Sequence, residues 1–312
     1  MTSSSDAPHI PVLLPDVLAL FDVRPGAAII DATVGAGGHA AALLEAAGPR
    51  GRLLGIDQDQ GALALAGEWL RGWGGRVTLV HARFDTLAKQ AAAVNFPAAD
   101  AILMDLGVSS MHLDDATRGF SFLRDGPLDM RMNVADPGPT AADLVNTLDE
   151  DELADLIWKY GEEPQRRRIA RAIVQQRPFT RTTELAKTVE SVIKRRPGDK
   201  LHPATLTFQA LRIVVNDELG ALERVLPQAV ALLKPGGRLG VISFHSLEDR
   251  IVKRFFKQEA SDCICPPEQP VCTCGHKATL SLLTRKPIMA DEAETTANPR
   301  SRSARLRGAE KL

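Results

Sequence analysis

An open α/β sheet, mostly parallel and covered by helices on both faces, with a helical unit inserted into it, is the fold class that the 312-residue sequence predicts. Three observations predict it. Short apolar runs alternate with amphipathic helical stretches over the first hundred residues, the pattern of parallel strands buried on both sides. The first run empties into a glycine loop that opens a helix. A segment of different texture then separates the fourth apolar run from the next comparable one.

The elements follow in order. The run at 27–31 ends on Asp31 and leads through Gly35, Gly37 and Gly38 into a helix at 40–47. A strand at 52–57 ends on Asp57, and a helix at 61–69, a strand at 77–81 and a short further helix follow. The fourth strand, 101–105, ends on Asp105. From there the chain is Gly-, Asp- and Arg-rich (Asp114 to Asp136) and then helical and basic. Structureless loops of that length are rare in compact domains, so 113–202 reads as an inserted, mainly helical substrate-binding subdomain. It divides a discontinuous domain made of 1–112 and 203–312. An insertion after the C-terminal end of a strand sits beside the ligand crevice of an open sheet, where a basic unit is placed to hold a substrate. A helical stretch at about 203–233 leads to a strand at 237–244 and a helix at 247–257. Two late apolar segments, 278–284 and 303–309, pair as a terminal antiparallel hairpin.

Composition narrows the function classes. Hydrophobic residues make up 44% and charged residues 25%, ordinary for a globular protein, and no run of 18 apolar residues occurs. The start, Met1 to Pro8, is polar, so neither a membrane span nor a signal peptide is expected and the cytoplasm is the expected location. A formal charge of −1 gives no global attraction to nucleic acid. Locally the balance differs: twelve Lys/Arg face five Asp/Glu between Lys159 and Lys200, and Arg302, Arg305, Arg307 and Lys311 gather in the tail. Such surfaces suit a phosphate backbone, although solvated helix faces carry the same charge. Cys263, Cys265, Cys272 and Cys274 fall within twelve residues. Their C-x-C-x6-C-x-C spacing can hold zinc through thiolates; a free-thiol or redox-labile loop is the other reading.

The glycine loop and the acid about twenty residues on, Asp57, make an adenosine-type site: glycine admits close backbone approach, the helix start offers N–H groups, and the acid accepts the ribose hydroxyls. Gly35-x-Gly37-x-x-Ala40 also satisfies a dinucleotide fingerprint, so hydride transfer is the competing reading. Two features favour S-adenosyl-L-methionine. Asp31 stands in front of the loop, where a carboxylate can receive an amino-acid ammonium. Leu232-Leu233-Lys234-Pro235-Gly236-Gly237-Arg238-Leu239 reads as a helix end, a turn and a strand, a phrase that recurs in methyltransferases using this donor.

Six runs then carry a close resemblance. Asp31-Ala-Thr-Val-Gly-Ala-Gly-Gly-His39, Asp105-Leu-Gly-Val-Ser-Ser110, Leu113-Asp-Asp-Ala-Thr-Arg-Gly-Phe-Ser-Phe122, Asp125-Gly-Pro-Leu-Asp-Met-Arg-Met132, His202-Pro-Ala-Thr205 and Ser243-Phe-His-Ser-Leu-Glu-Asp-Arg250 are similar to those of the bacterial small-subunit (16S) rRNA (cytosine-N4-)methyltransferase family. The resemblance spans Pro11 to about Leu306. It implies a class I S-adenosylmethionine-dependent (Rossmann-like) fold and methylation of the exocyclic N4 of one cytidine in the decoding centre. It also implies that the RNA is presented within the small ribosomal subunit. By position, Gly37, Gly38 and His39 would line the methionine and ribose end, Asp57 would take the ribose hydroxyls, Phe84 would lie beside the adenine, and Asp105 would sit at the methyl-transfer end. His112 stands where the family usually has a glutamine. A homodimer is the expected assembly.

Transfer to an amine is an in-line displacement that needs no covalent enzyme intermediate; its difficulty is a lone pair delocalised into the cytosine ring. Acceptors for the N–H hydrogens can turn that lone pair toward the methyl. Asp105 is the first candidate for this, with a strand-end cap as its bland alternative. His245 could take the proton lost from the amine, or with Ser243 could merely shape the pocket. Asp129 and Arg131 read as an ion pair bracing the insert, and Glu248 and Asp249 as acids suited to a helix's first turn. Phe120, Phe122, Trp158, Tyr160 and Phe179 read mainly as core, and Arg166, Arg167, Arg168, Arg171 and Arg177 as contacts for an RNA backbone. Three rival functions remain: methylation of another nucleic-acid amino group, C5-pyrimidine methylation through a cysteine, and a non-catalytic cofactor-binding ribosome-assembly protein.

Overall fold

The computed structural model describes residues 10–108, 113–193, 201–266, 268–269 and 271–312. They form two compact units, one made of Met1–Gly107 and Leu219–Leu312 and the other of Val108–Glu218. Among the described residues no helix is long and apolar enough to cross a membrane.

The first unit is built on seven strands: β1 (Ala28–Asp31), β2 (Arg52–Asp57), β3 (Val77–His81), β4 (Ala99–Asp105), β5 (Leu233–Ser243), β6 (Leu280–Leu282) and β7 (Arg305–Lys311). Their order is β3-β2-β1-β4-β5-β7-β6. The first five pair in parallel, and β7 runs antiparallel between β5 and β6. This is the mostly parallel open sheet that the sequence predicts, with the expected antiparallel hairpin at its end. Its helices are α1 (Leu14–Phe21), α2 (Gly38–Ala46), α3 (Gln60–Trp69), α4 (Leu87–Ala93), and, after the insert, α10 (Glu218–Leu232), α11 (Ser246–Glu259) and α12 (Glu292–Ala297).

Consecutive residues of each central strand feed opposite cores, which is why the strands read as unbroken apolar runs. Ile29, Leu53, Leu103 and Ile242 pack with Val17, Leu20 and Phe21 of α1 and with Leu43 and Leu44 of α2. Ile30, Leu54, Ile102 and Val241 pack with Leu87 of α4, Val225 and Leu226 of α10, and Val252 of α11. β5 begins earlier than expected, at Leu233, because Leu233 already pairs with Ala99 before the chain bulges and resumes with Arg238 opposite Ala101. Gly236 makes that bulge at φ 78°.

The second unit contains α5 (Ala141–Thr147), α6 (Glu150–Gly161), α7 (Arg166–Gln176), α8 (Thr182–Val192) and α9 (Thr205–Asn216). Thr140 with Asp143 and Asp149 with Glu152 form capping boxes that start α5 and α6. Leu128, Met130, Val145, Leu153, Ile157, Ile169, Ile173, Leu185, Val189, Phe208 and Leu211 fill its core.

The second unit runs to Glu218 and so takes in α9. α9 was expected to run on into the next helix; instead Asp217, at φ 49°, closes it, and the helix belongs to the insert's own core. Two contacts place it there. A Cβ at Gly161 would fall 2.5 Å from the Leu206 carbonyl, so only glycine lets α6 and α9 cross this closely. Asn216 donates to the Met130 carbonyl at 2.8 Å and accepts from the Met132 amide at 2.8 Å. The Asp129–Arg131 pair is present as expected, at 2.8 and 2.9 Å, with Arg131 reaching on to the Asp136 carbonyl at 2.7 Å.

Candidate cofactor-binding site

In an open parallel sheet, ligands bind beyond the strand C-termini where the strand order reverses, which here is between β1 and β4. Three of the strands around that point, β1, β2 and β4, end on an aspartate: Asp31, Asp57 and Asp105. The turn between β1 and α2 is fixed by backbone bonds. Ala32 N–H donates to Leu103 O, Val34 N–H to Ile56 O and Gly37 N–H to Val34 O, at 2.8 to 2.9 Å. Gly37 takes φ 89°, a conformation costly for any residue with a Cβ, and releases the chain into α2 at Gly38. Among the described residues no side chain caps α2, so its first-turn amides are available to a ligand's acceptors.

Both oxygens of Asp57 are engaged, with Gly35 N–H at 2.9 Å on Oδ2 and Asp59 N–H at 2.9 Å on Oδ1. These bonds hold the carboxylate rigidly at the end of β2. Asp31 is 1% exposed. Burial pushes it up to about 7; the Thr33 amide, 3.2 Å from its Oδ1, opposes that shift and Asp57 adds to it. Asp105 is held well above the ordinary carboxylate range, first by desolvation and then by Asp31 and Glu248. Its backbone N–H donates to Thr33 Oγ1 at 2.7 Å, while its Oδ1 is buried without a hydrogen-bond partner. A buried oxygen in that condition demands a donor.

His39 stands opposite. Its Nε2 bonds the Val12 carbonyl at 2.8 Å, which puts the ring proton on that nitrogen, and its Nδ1 lone pair faces Asp105 Oδ2 at 3.7 Å. Burial lowers its pKa to about 4, so the ring is neutral at pH 7. The His39 Nδ1 lone pair thus stands beside Asp105, whose unpartnered Oδ1 an N–H or ammonium donor would satisfy. The donor set fits S-adenosyl-L-methionine: acids for a cation and a diol, open amides at a helix start, and an unpartnered oxygen.

The pKa of Asp31 has a measurable consequence. A carboxyl raised from 3.8 to about 7 on folding contributes stability that is full below its unfolded pKa and lost as pH rises through the folded one. The urea midpoint of the ligand-free protein, compared with Asp31→Asn, should therefore drop relative to the variant between about pH 4 and about pH 7. Parallel pH profiles for the two proteins would remove this account of Asp31.

The other sequence-selected residues fall as follows. Phe84 lies at the end of β3's loop, half-buried against the core that holds Ile30 and Ile56. His112 lies outside the described residues. Ser243 is 1% exposed, and its hydroxyl donates to the Arg305 carbonyl on β7 at 3.4 Å. His245 caps α11, its Nδ1 accepting from Glu248 N–H at 3.4 Å. Its Nε2 lies 3.2 Å from Glu248 Oε1. Glu248 in return accepts from the amides of Phe244 at 2.8 Å and His245 at 3.3 Å. Ser243 and His245 thus hold the β5–α11 turn, and Glu248, read in the sequence only as a first-turn acid, is the group that organises it. The S/T/D/N-type capping pattern could not reveal this, since histidine takes the cap position. Thr33 was likewise missed.

Within the insert, Trp158 is half exposed, with the Arg166 guanidinium 4.4 Å over its ring. Phe120 and Phe179 are buried, and Phe122 stacks on His202 at 4.4 Å. Arg167 and Arg168 are exposed, and Arg171 pairs with Glu150 at 3.1 Å. Arg177 corrects the expectation of an RNA contact: its guanidinium is spent on the carbonyls of Val145 and Leu148 at the end of α5.

The sequence from residue 6 to residue 312 matches the model of the MraW methylase family. Ribosomal RNA small subunit methyltransferase H of Solidesulfovibrio magneticus is 52% identical over 309 residues, 97% of this chain and 95% of that protein. The protein of the same name from Symbiobacterium thermophilum is 53% identical, with 97% and 96% covered. That from Geotalea uraniireducens is 51% identical, with 99% and 100% covered.

Proposed function

The chain belongs to the MraW methylase family, and from that premise we infer that it is an S-adenosyl-L-methionine-dependent 16S rRNA methyltransferase acting on the exocyclic N4 of a cytidine in the decoding centre. The observation that carries the chemistry is the buried, unpartnered Oδ1 of Asp105 at the end of β4.

Residue roles follow from the site's own groups. Asp31 receives the ammonium of the methionine moiety, the first-turn amides of Gly38 and His39 with Gly35 and Gly37 cradle its backbone-like end, Asp57 accepts the ribose hydroxyls, and Phe84 packs beside the adenine. When bound, the donor supplies a methyl group on a positively charged sulfur. Asp105 accepts the N–H hydrogens of the cytosine amine, which turns the nitrogen lone pair out of conjugation and toward the methyl. His39, neutral and fixed in one tautomer by Val12, offers an acceptor at Nδ1 beside Asp105. His245 and Ser243 act as positioning residues through the β5–α11 turn. The exposed Arg167 and Arg168 on α7 are the proposed phosphate contacts, since such contacts give grip without sequence readout.

Attack through a thiolate on C5 does not suit this chain, because all four cysteines lie between residues 263 and 274, away from the strand ends. The test is incubation of labelled donor with small subunits from a strain deleted for this gene, followed by nucleoside analysis. N4-methylated cytidine is the expected product; a 5-methyl mark, or no transfer, would overturn the assignment.

A further inference from the structure

The connection between α11 and β6 gathers all four cysteines of the chain, and methyl transfer gives them no role. Their sulfurs converge. Cys263 Sγ lies 3.5 Å from Cys272 Sγ and 3.9 Å from Cys274 Sγ, and Cys272 Sγ lies 3.6 Å from Cys274 Sγ. With Cys265 included, all four fall within 4.8 Å of one another. A tetrahedral tetrathiolate with zinc–sulfur bonds of about 2.3 Å spaces its sulfurs about 3.8 Å apart, close to the separations among Cys263, Cys272 and Cys274. All four are free thiols.

The rest of the loop is built around that cluster. Ile264 and Val271 are turned outward, 45% and 68% exposed, while the sulfurs face one another. A segment turned inside out in this way has no apolar core, and such segments are held by metals or cross-links. Ile264 N–H points at Cys274 Sγ from 3.5 Å, the kind of amide contact that steadies a thiolate ligand. The ends are clamped to the helix: Thr279 N–H donates to Glu259 O at 2.8 Å and Ala278 N–H to Asp262 Oδ1 at 3.3 Å. His276 bonds the Gln258 carbonyl at 3.1 Å, so it serves the clamp and the donor set is four sulfurs.

We propose that Cys263, Cys265, Cys272 and Cys274 bind one zinc ion in a closed tetrahedral site that takes the place of a core in this loop. Sulfur-only tetrahedral coordination selects zinc or iron over hard cations. Four protein ligands leave no open position, so the ion is structural and takes no part in methyl transfer. Binding exchanges the thiol protons for the metal, with no change of oxidation state.

The full-length protein, purified under reducing conditions without chelator, should carry one zinc per chain by elemental analysis. Replacement by cobalt(II) should give the intense visible absorption of a tetrahedral thiolate site. Cys263→Ser and Cys272→Ser should each lose the metal, and chelation should open the stretch between Cys263 and Cys274 to proteolysis while the rest of the chain resists. Wild-type protein that stays metal-free in excess zinc, with four freely titrating thiols or two disulfides, would overturn the proposal. Bound iron in place of zinc would overturn it as well. None of these measurements depends on methylation.

Discussion

Asp105→Ala should slow methyl transfer about 10²–10⁴-fold, the range spanned by loss of a positioned proton-handling group. RNA affinity should stay within about twofold, because grip on the RNA comes from phosphate contacts made elsewhere. The substitution should not unfold the protein. Asp105 resists ionisation where it sits, through burial and through Asp31 and Glu248, so its removal relieves a repulsive arrangement and the variant should melt no lower than wild type. Loss of activity with unchanged melting is therefore the informative result. Asp105→Asn keeps the volume and one acceptor and should be impaired less. Full activity in the alanine variant, under single-turnover conditions with saturating donor, would remove Asp105 from the chemistry. Activity lost together with RNA binding would point to a structural role.

The second large effect is on stability, at Asp249. As a first-turn acid of α11 its replacement by alanine would cost about 0.3–1 kcal/mol. The structure assigns a larger value. Asp249 Oδ1 accepts from Arg307 Nε at 2.7 Å and its Oδ2 from the same guanidinium at 3.1 Å, with both side chains nearly enclosed at 11% and 8% exposure. The carboxyl pays desolvation, yet Arg307 and then Arg305 hold its pKa below the ordinary value. Asp249→Ala leaves the Arg307 charge buried and alone, which costs about 3–5 kcal/mol. Urea denaturation followed on the first unit should show a loss in that range, and replacing both residues with leucine should recover most of it. A loss below about 1 kcal/mol would return Asp249 to the dipole reading.

The contrast between those two residues marks what the sequence makes legible. β1, β2 and β4 could be read because burial on both faces makes each an apolar run that stops at a charged residue, and the stops at Asp31, Asp57 and Asp105 are residues of the proposed site. The hairpin of β6 and β7 could be read from the pair of late apolar segments at 278–284 and 303–309. What depends on a distant partner could not. Arg307 is 58 residues from Asp249, and Asn216 reaches Met130 across 86 residues, so neither spacing nor periodicity hints at the contact that sets the insert's boundary or binds α11 to β7. α1 escaped for a local reason: it is eight residues long, begins after Leu13 in the left-handed region and has no side-chain cap. His39 was assigned by resemblance alone, and its physical reason, a proton fixed by Val12, lies in the segment before β1.

The aspartates that end the strands also solve a problem created by the two-faced burial. Where one face of a sheet meets water, sliding a strand by one residue exchanges core for solvent and is forbidden. β1, β2 and β4 have apolar neighbours on both sides, so a slide would cost them little in burial. It would, however, draw Asp31, Asp57 or Asp105 into the sheet, or push an apolar residue into the ligand crevice. Each acid therefore works as a stop that indexes its strand against the next. The three stops are redundant for alignment while each has its own role in the proposed site, so single substitutions should impair methyl transfer while leaving the strands in step.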